Sequence, residues 1–368
     1  MLHKKITYIF GVGRKNILNN PNYSDEFFYG YKYFAEHYHD VNFIEFIPEL
    51  NKKYLLIDKV LRKISNLPFY FNNIMTKNNY ERLFLSDLVV FTNERMLISS
   101  LIYLTIIKRK KELKSVVIIM GLFSKNTKNK IKNILQKLFI NFTLSKVDHV
   151  IFLGIGEFES AVKKFPKHKS KFKHIPFMLN NKFWIVHKNN VLANKDKILF
   201  IGNDGKRDYE KLIGIAKELP EFRFIFVSKI IKRSELKSNN IELISGYWNE
   251  NILSDKDIQH LYDQSRITIL PLKESTQPSG QSVTLQSMSR GVPVLISKTD
   301  GFWDKQSFEN KKNIIFLDDN SIENWVKTIK ETYYDYDLLD LLSKNSIAYM
   351  KKSSNSKDFY LELKKIIS

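Results

Sequence analysis

Short strand-like runs recur along this 368-residue chain, and segments of helical spacing separate them. Most of the runs are apolar, and two (41–47 and 241–244) are interrupted by Asn42, Glu45 and Glu242. The runs fall at residues 6–10, 41–47, 88–92, 116–120 and 150–153, then at 198–201, 224–227, 241–244, 267–270, 292–296 and 314–317. A strand with one wet face alternates apolar and polar residues. An unbroken apolar run is buried on both faces, the condition of a parallel sheet covered by helices on each side. Helical patterns at 25–38, 58–66, 96–111, 157–165, 209–219 and 257–264 supply the covers. Strand and helix in alternation imply α/β architecture. Single cores stop growing near ~250–300 residues, so the chain is expected to divide, with a joint in the polar stretch 187–196.

The most informative local stretch is 267–297. An apolar strand ends at Pro271, a loop of small residues follows, and a helix is expected from about 282 to 290. Gly291 stops that helix, because a left-handed cap position favours glycine. A small-residue loop feeding a helix leaves backbone N–H groups free at the positive end of the helix dipole, which suits a phosphate. A second loop of this kind, Gly202-Asn203-Asp204-Gly205-Lys206-Arg207-Asp208, follows the strand at 198–201. Its glycines permit close backbone approach, and Lys206 or Arg207 can neutralise a diphosphate. An ordinary tight turn with solvated charges is the competing reading of that loop.

Gln286-Ser287-Met288-Ser289-Arg290-Gly291-Val292-Pro293-Val294-Leu295 resembles the donor-binding motif of retaining glycosyltransferases of the GT-B fold, the group labelled glycosyltransferase family 4. The family pattern is an acid and a glycine-rich turn before Glu-Ala-Met-Ala-x-Gly-x-Pro-Val-Ile. Gln286 stands in place of that glutamate, and Pro278 stands where the first acid belongs. The resemblance implies two Rossmann-like doubly wound domains facing a cleft. An acceptor-binding domain would span 1–185 and a nucleotide-sugar-binding domain 186–345. The last helix, 346–368, would cross back to the N-terminal domain. The donor would be a UDP- or GDP-linked sugar, used as co-substrate with no further cofactor and no metal.

The same resemblance assigns site residues. Arg207, and after it Lys206, would grip the pyrophosphate and stabilise the leaving group, with Gly202 and Asn203 beside them. Gly280, Gln281, Ser282 and Val283 would present the helix N-terminus. Gln286 would hold the ribose, and Gln281 would replace the missing acid at the sugar hydroxyls. Gly11 and Gly13, after the first strand, would admit the donor phosphate or the acceptor. Tyr247 or Trp248 would stack on the base. Lys229, Asp300-Gly301-Phe302 and Asp304 are further candidates to line the cleft, whereas Glu157 reads as decoration of a helix start. Many relatives carry a histidine where this chain has Met120-Gly121, so no catalytic base is named. Front-face displacement, in which the leaving diphosphate takes the acceptor's proton, needs none.

Charge separates the halves. The net charge is +20. Residues 1–185 carry 31 Lys+Arg against 14 Asp+Glu, a net of +17; subtraction from the totals of 59 and 39 leaves 28 against 25, a net of +3, for 186–368. The excess thus lies in the N-terminal half and points to an anionic partner. Residues 113–147 contain no acid, and Ile131, Ile134, Leu135, Leu138, Phe139 and Phe142 follow helical spacing among the lysines. A second basic amphipathic segment carries Ile57, Val60, Leu61 and Ile64. Two readings stand side by side: the stripes face the core, or these helices lie on an anionic membrane surface. Nucleic acid is not expected, since no recognition motif accompanies the charge.

Other chemistries are excluded. Without cysteine there is no disulfide, thiolate site or cysteine nucleophile. No Walker loop, nucleophile elbow or histidine metal spacing occurs. The first residues lack a secretory cleavage pattern, and the longest apolar stretch, 97–107, is far short of the ~20 residues of a span. The expectation is a cytoplasmic glycosyltransferase, peripheral on the inner face of the membrane, acting on an anionic lipid-linked or polysaccharide-precursor acceptor. The alternatives are a non-catalytic GT-B-like binding or scaffold subunit, and a nucleotide-sugar epimerase.

Overall fold

The computed structural model describes residues 5–38, 40–124, 129–186, 195–245 and 253–367. They form two compact units: Met1–Asn19, Asp25–Pro176 and Lys357–Ser368 make unit 1, and Asn20–Ser24 with Phe177–Ser356 make unit 2.

Unit 1 runs β1 (Ile6–Phe10), α1 (Arg14–Ile17), α2 (Tyr31–His37), β2 (Val41–Glu45), α3 (Leu55–Ser65), α4 (Lys77–Phe84), β3 (Leu88–Phe91), α5 (Glu94–Ser99), α6 (Leu101–Lys108), β4 (Lys114–Ile119), α7 (Lys130–Lys146), β5 (His149–Phe152), α8 (Ile155–Lys164) and β6 (Phe172–His174). Unit 2 runs α9 (Asn181–Trp184), β7 (Lys197–Ile201), α10 (Tyr209–Glu218), β8 (Arg223–Val227), β9 (Ile241–Ile244), α11 (Asp255–Gln264), β10 (Ser265–Leu270), α12 (Gln281–Ser289), β11 (Val294–Ser297), β12 (Ile315–Leu317), α13 (Ile322–Tyr334) and α14 (Tyr336–Lys352). The last helix, α15 (Ser356–Ile367), packs within unit 1, where Tyr360 stands edge-on to Phe34 at 4.7 Å.

Both sheets are parallel throughout. Their orders are β2-β1-β3-β4-β5-β6 and β12-β11-β10-β7-β8-β9. The central strands β1, β3 and β10 are buried along their whole length, as strands covered by helices on both faces must be. In unit 2 the chain order reverses between β7 and β10, and such a switch point opens a crevice at the strands' carboxyl ends.

Several boundaries differ from the sequence expectation. The helix expected over 96–111 is two helices, α5 and α6, separated at Ser100. The pattern over 25–38 begins as one turn of 3₁₀ helix at Glu26–Phe28 and restarts as α2 after Gly30, whose φ is +81°. Helix α4 and edge strand β6 have no counterpart among the expected elements, being short and, in α4, largely polar. Gly291 stops α12 as expected. At φ +68° it closes a Schellman motif, its N–H donating to Met288 O at 3.0 Å and that of Val292 to Ser287 O at 2.9 Å.

Candidate functional site

The loop after β7 is shaped by its own side chains before any ligand is considered. Asp204 Oδ1 accepts from the Lys206 N–H at 2.8 Å, and the Tyr209 hydroxyl donates to Asp204 O at 2.8 Å. Asn203 Oδ1 accepts from the Lys229 N–H at 2.7 Å, tying the loop to the end of β8. Residues 206–208 then run antiparallel to 271–273, just past β10. Lys273 N–H donates to Lys206 O and Asp208 N–H to Pro271 O, both at 2.9 Å. Arg207, in the middle of this bridge, is thereby held between the carboxyl ends of β7 and β10, the switch-point strands.

Glycine clears the space for its side chain. A Cβ on Gly202 would lie 2.6 Å from Arg207 Nε and 2.8 Å from its Cγ, so no other residue fits there without displacing the guanidinium. On the far side, a Cβ on Gly280 would lie 3.6 Å from Arg207 Nη1. Gly280, at φ +84°, is the N-cap residue of α12. The guanidinium therefore sits at the positive end of a nine-residue helix.

Among the described residues, the one carboxylate within ion-pair distance of that guanidinium is Asp204, itself partly exposed. Arg207 is 4% exposed, and both Nε and Nη1 are buried without a hydrogen-bond partner. Asp204 Oδ2 lies 3.4 Å from Nη1, close enough for attraction but without hydrogen-bond geometry. The hydroxyls of Ser279 and Thr284, flanking the start of α12, are likewise buried and unpartnered. Buried polar groups are normally satisfied, and a buried charge left alone is costly. Donors from a guanidinium, two hydroxyls and a helix N-terminus are what a phosphate or diphosphate accepts from.

Beneath this point lies Tyr262 of α11. Its hydroxyl donates to Val283 O at 3.1 Å and lies 3.4 Å from Gln286 Oε1. Burial pushes its phenol well above the ordinary value, while the positive charge of Arg207 pulls the other way. Arg207, Tyr262 and Gln286 thus share one neighbourhood. Neither Tyr262 nor Ser279 and Thr284 stand out in the sequence, where a lone tyrosine on a helical stripe reads as core and the two hydroxyl residues as loop and helix filler.

The loop between β10 and α12 is braced from behind. Glu274 Oε1 accepts from the N–H groups of Ser275 and Asp300, both at 2.9 Å. A Cβ on Gly301 would lie 2.3 Å from Gln277 O, so the chain after β11 presses directly on this loop. Ser297 Oγ accepts from Leu272 N–H at 2.8 Å and meets Asn320 Oδ1 at 2.8 Å.

The other expected site residues divide. Gln281 and Val283 are buried and Ser282 half-buried in the first turn of α12. Lys206 is half-buried and contributes its backbone carbonyl to the bridge. Gly11 and Gly13 lie in unit 1, between β1 and α1, with Gly13 at φ +89°. Tyr247, with Gly246 and Trp248, lies outside the described residues. Phe302 is buried in an aromatic cluster with Trp303, Phe308 and Phe316. Asp304 Oδ1 caps a turn, accepting from the N–H groups of Gln306 and Ser307.

Glu157 is not the decoration of a helix start that the sequence suggests. It is 1% exposed and clamps the loop after β4, its two oxygens accepting from Gly121 N–H and Phe123 N–H at 2.9 Å each. Glu94, beside it, accepts from Met120 N–H at 3.0 Å. Burial, reinforced by the Glu94 charge, pushes the Glu157 carboxyl up to about 8.

No family model matches the sequence, and no curated protein matches it by sequence. Solved structures do match. HepE of Anabaena, in complex with UDP and glucose, is 12% identical over 99% of each chain, with a TM-score of 0.64. Sucrose-phosphate synthase of Thermosynechococcus elongatus is 13% identical over 99% of this chain and 98% of its own, at a TM-score of 0.68. A glycosyltransferase of Rickettsia africae is 13% identical over 99% of each chain, at 0.65. At this identity the likeness establishes the fold, the two-unit α/β architecture of GT-B glycosyltransferases.

Proposed function

We propose that this chain is a glycosyltransferase that takes a sugar from a nucleoside-diphosphate donor. The observation that carries the proposal is the buried guanidinium of Arg207 at the N-terminus of α12, whose Nε and Nη1 lack hydrogen-bond partners. It lies at the switch point of a sheet whose fold is that of GT-B glycosyltransferases. A UDP-linked sugar is the first choice, because HepE, of similar fold, is in complex with UDP and with UDP-glucose in its solved structures.

In the proposed reaction the donor diphosphate accepts hydrogen bonds from Arg207 Nε and Nη1 and from the first turn of α12. The Gln286 carboxamide, braced by Tyr262, holds a ribose hydroxyl. The bond between the anomeric carbon and the β-phosphate oxygen breaks as the acceptor oxygen attacks from the same face, and the acceptor's proton passes to that phosphate oxygen. Configuration is retained. Negative charge grows on the leaving diphosphate in the transition state, where the guanidinium and the helix dipole stabilise it most. Positive charge from Arg207 and α12 stands in for a metal ion, so the transfer is proposed to be metal-independent. The net charge of +17 on residues 1–185 supports an anionic acceptor, such as a lipid-linked or polysaccharide-precursor phosphate.

A second reading is a donor-binding subunit that does not transfer, favoured by Pro278 and Gln286 at the positions of the two acids. Calorimetric titration with UDP, GDP, ADP and their sugar conjugates, followed by a donor-turnover assay, separates the two. Binding of one nucleoside diphosphate with slow donor hydrolysis supports transfer. Binding with no turnover on any acceptor supports the subunit. Silence across the panel refutes both.

A further inference from the structure

Helices α3 and α7 turn only part of their apolar stripes inward. On α7 four of the six residues at helical spacing are exposed, Ile131 at 70%, Ile134 at 59%, Leu138 at 60% and Phe142 at 45%, while Leu135 and Phe139 are half-buried. Its buried positions are Gln136, Ile140, Thr143 and Leu144. On α3, Leu56 is 72% exposed, and Ile57, Val60 and Ile64 lie outward with it, while Asp58 and Ser65 are buried. The two helices pack side by side and reach the same core cluster, α3 through Leu61 and α7 through Phe139 and Ile140. Their outward faces are therefore contiguous. Helix α6, which packs on α7, adds Ile102 and Ile106. Ten of the eighteen exposed large hydrophobics among the described residues lie on these three helices. A soluble surface does not collect them so.

The charges around this face have one sign. Helix α7 contains no acid. The one acid of α3, Asp58, is fully buried and accepts from the N–H groups of Phe71 and Asn72 at 2.8 and 3.0 Å. Glu49, just before α3, lies 3.7 Å from Lys52. What remains outward is Lys53, Lys59 and Lys63 beside the α3 aliphatics and Lys130 and Lys137 beside those of α7.

We infer that the joint outward face of α3 and α7 docks on an anionic lipid bilayer. Aliphatic and phenylalanine tips in a cationic surround match a membrane interface, where the tips enter the acyl boundary and the ammonium groups stay among the headgroup phosphates. A nucleic acid would meet the lysines but leave the aliphatics in water. A second copy of the face would set cation against cation. The inference is independent of the transfer reaction and holds equally for a non-catalytic subunit.

The test is co-flotation of the full chain with phosphatidylcholine vesicles, with and without phosphatidylglycerol. Binding is expected only with phosphatidylglycerol, roughly tenfold weaker at high salt. Two paired variants should each weaken it severalfold: Ile134→Gln with Leu138→Gln, and Lys59→Glu with Lys137→Glu. All four positions are exposed, so unfolding curves should match the parent protein. For the parent protein alone, phosphatidylglycerol vesicles should protect Lys130 and Lys137 from acylation while leaving lysines of unit 2 reactive. Equal binding to neutral vesicles, no binding, absence of that protection, or a dimer abolished by the same substitutions would each overturn the inference.

Discussion

Replacing Arg207 by methionine should move affinity and stability in opposite directions. The substitution keeps an unbranched stem beside Gly202 and removes the guanidinium. In the ligand-free protein that group is 4% exposed, with Nε and Nη1 unpartnered. An unsatisfied buried donor costs ~1–3 kcal/mol. Asp204, 41% exposed and 3.4 Å from Nη1, offsets part of this, and solvent screening keeps that offset small. The free variant is therefore expected to be more stable than the parent by about 1 kcal/mol, read as a higher urea midpoint at unchanged slope. With a diphosphate bound, Nε and Nη1 become two charge-assisted donors, each contributing ~1.5–3 kcal/mol. Losing both should weaken nucleoside diphosphate binding by at least ~3 kcal/mol, more than a hundredfold in Kd. Titration calorimetry and urea denaturation on the same preparations measure the two quantities. Unchanged affinity would remove Arg207 from the donor site. A free variant several kcal/mol less stable would mean that Arg207 serves the fold through Asp204 and is not poised for a ligand.

Gly202→Ala should act on the same contact without removing charge, because its Cβ would meet Arg207 Nε at 2.6 Å; nucleotide affinity should fall at least tenfold, while Gly205→Ala, with nothing within 4 Å, should leave it unchanged in the same titration. Glu157 should make unit 1 less stable as pH rises. Its folded carboxyl stands at about 8 against an ordinary 4.5, so above pH 4.5 the unfolded chain ionises first and stability falls until the folded group ionises near pH 8. The loss is at most ~5 kcal/mol, the whole shift at ~1.36 kcal/mol per unit. Denaturation between pH 5 and 8.5 should show this slope in the parent protein and a flatter one in Glu157→Gln. Transfer is expected to persist in EDTA, and activity abolished by the chelator and restored by a divalent cation would overturn the proposed role of Arg207 and α12 in place of a metal.

Much of the fold was legible before the structure, because its determinants are local. Apolar runs announce strands buried on both faces. Of the twelve strands among the described residues only β6 lacks an expected run, although edge strands β2 and β9 are interrupted by Asn42 and Glu242 and only partly buried. The small-residue loop before Gln281 and the stop at Gly291 follow from backbone conformations that glycine adopts at little cost, so the strand–loop–helix–strand unit around α12 could be read directly. Arg207 could be nominated from a basic pair after a glycine loop. Its environment could not. The guanidinium meets α12 because β7 and β10 are neighbours in the sheet, a pairing of strands far apart in the chain, and because Gly202 and Gly280 leave space on either side of it. Tyr262, whose phenol feels the Arg207 charge, joins the site by that same pairing.

The sequence by itself determined that α3 and α7 would carry apolar stripes among lysines, since periodicity is a property of the chain alone. It did not determine which way the stripes face. That depends on what already fills the core, and in unit 1 the sheet, Phe69, Phe71 and the inner residues of α7 fill it, leaving Ile134, Leu138 and Leu56 outside. Glu157 follows the same logic in reverse: a carboxylate at a helix start reads as solvent-facing until the loop after β4 folds over it and supplies two N–H groups. Local chemistry set the elements and their ends, and burial, which belongs to no single segment, decided what each side chain does.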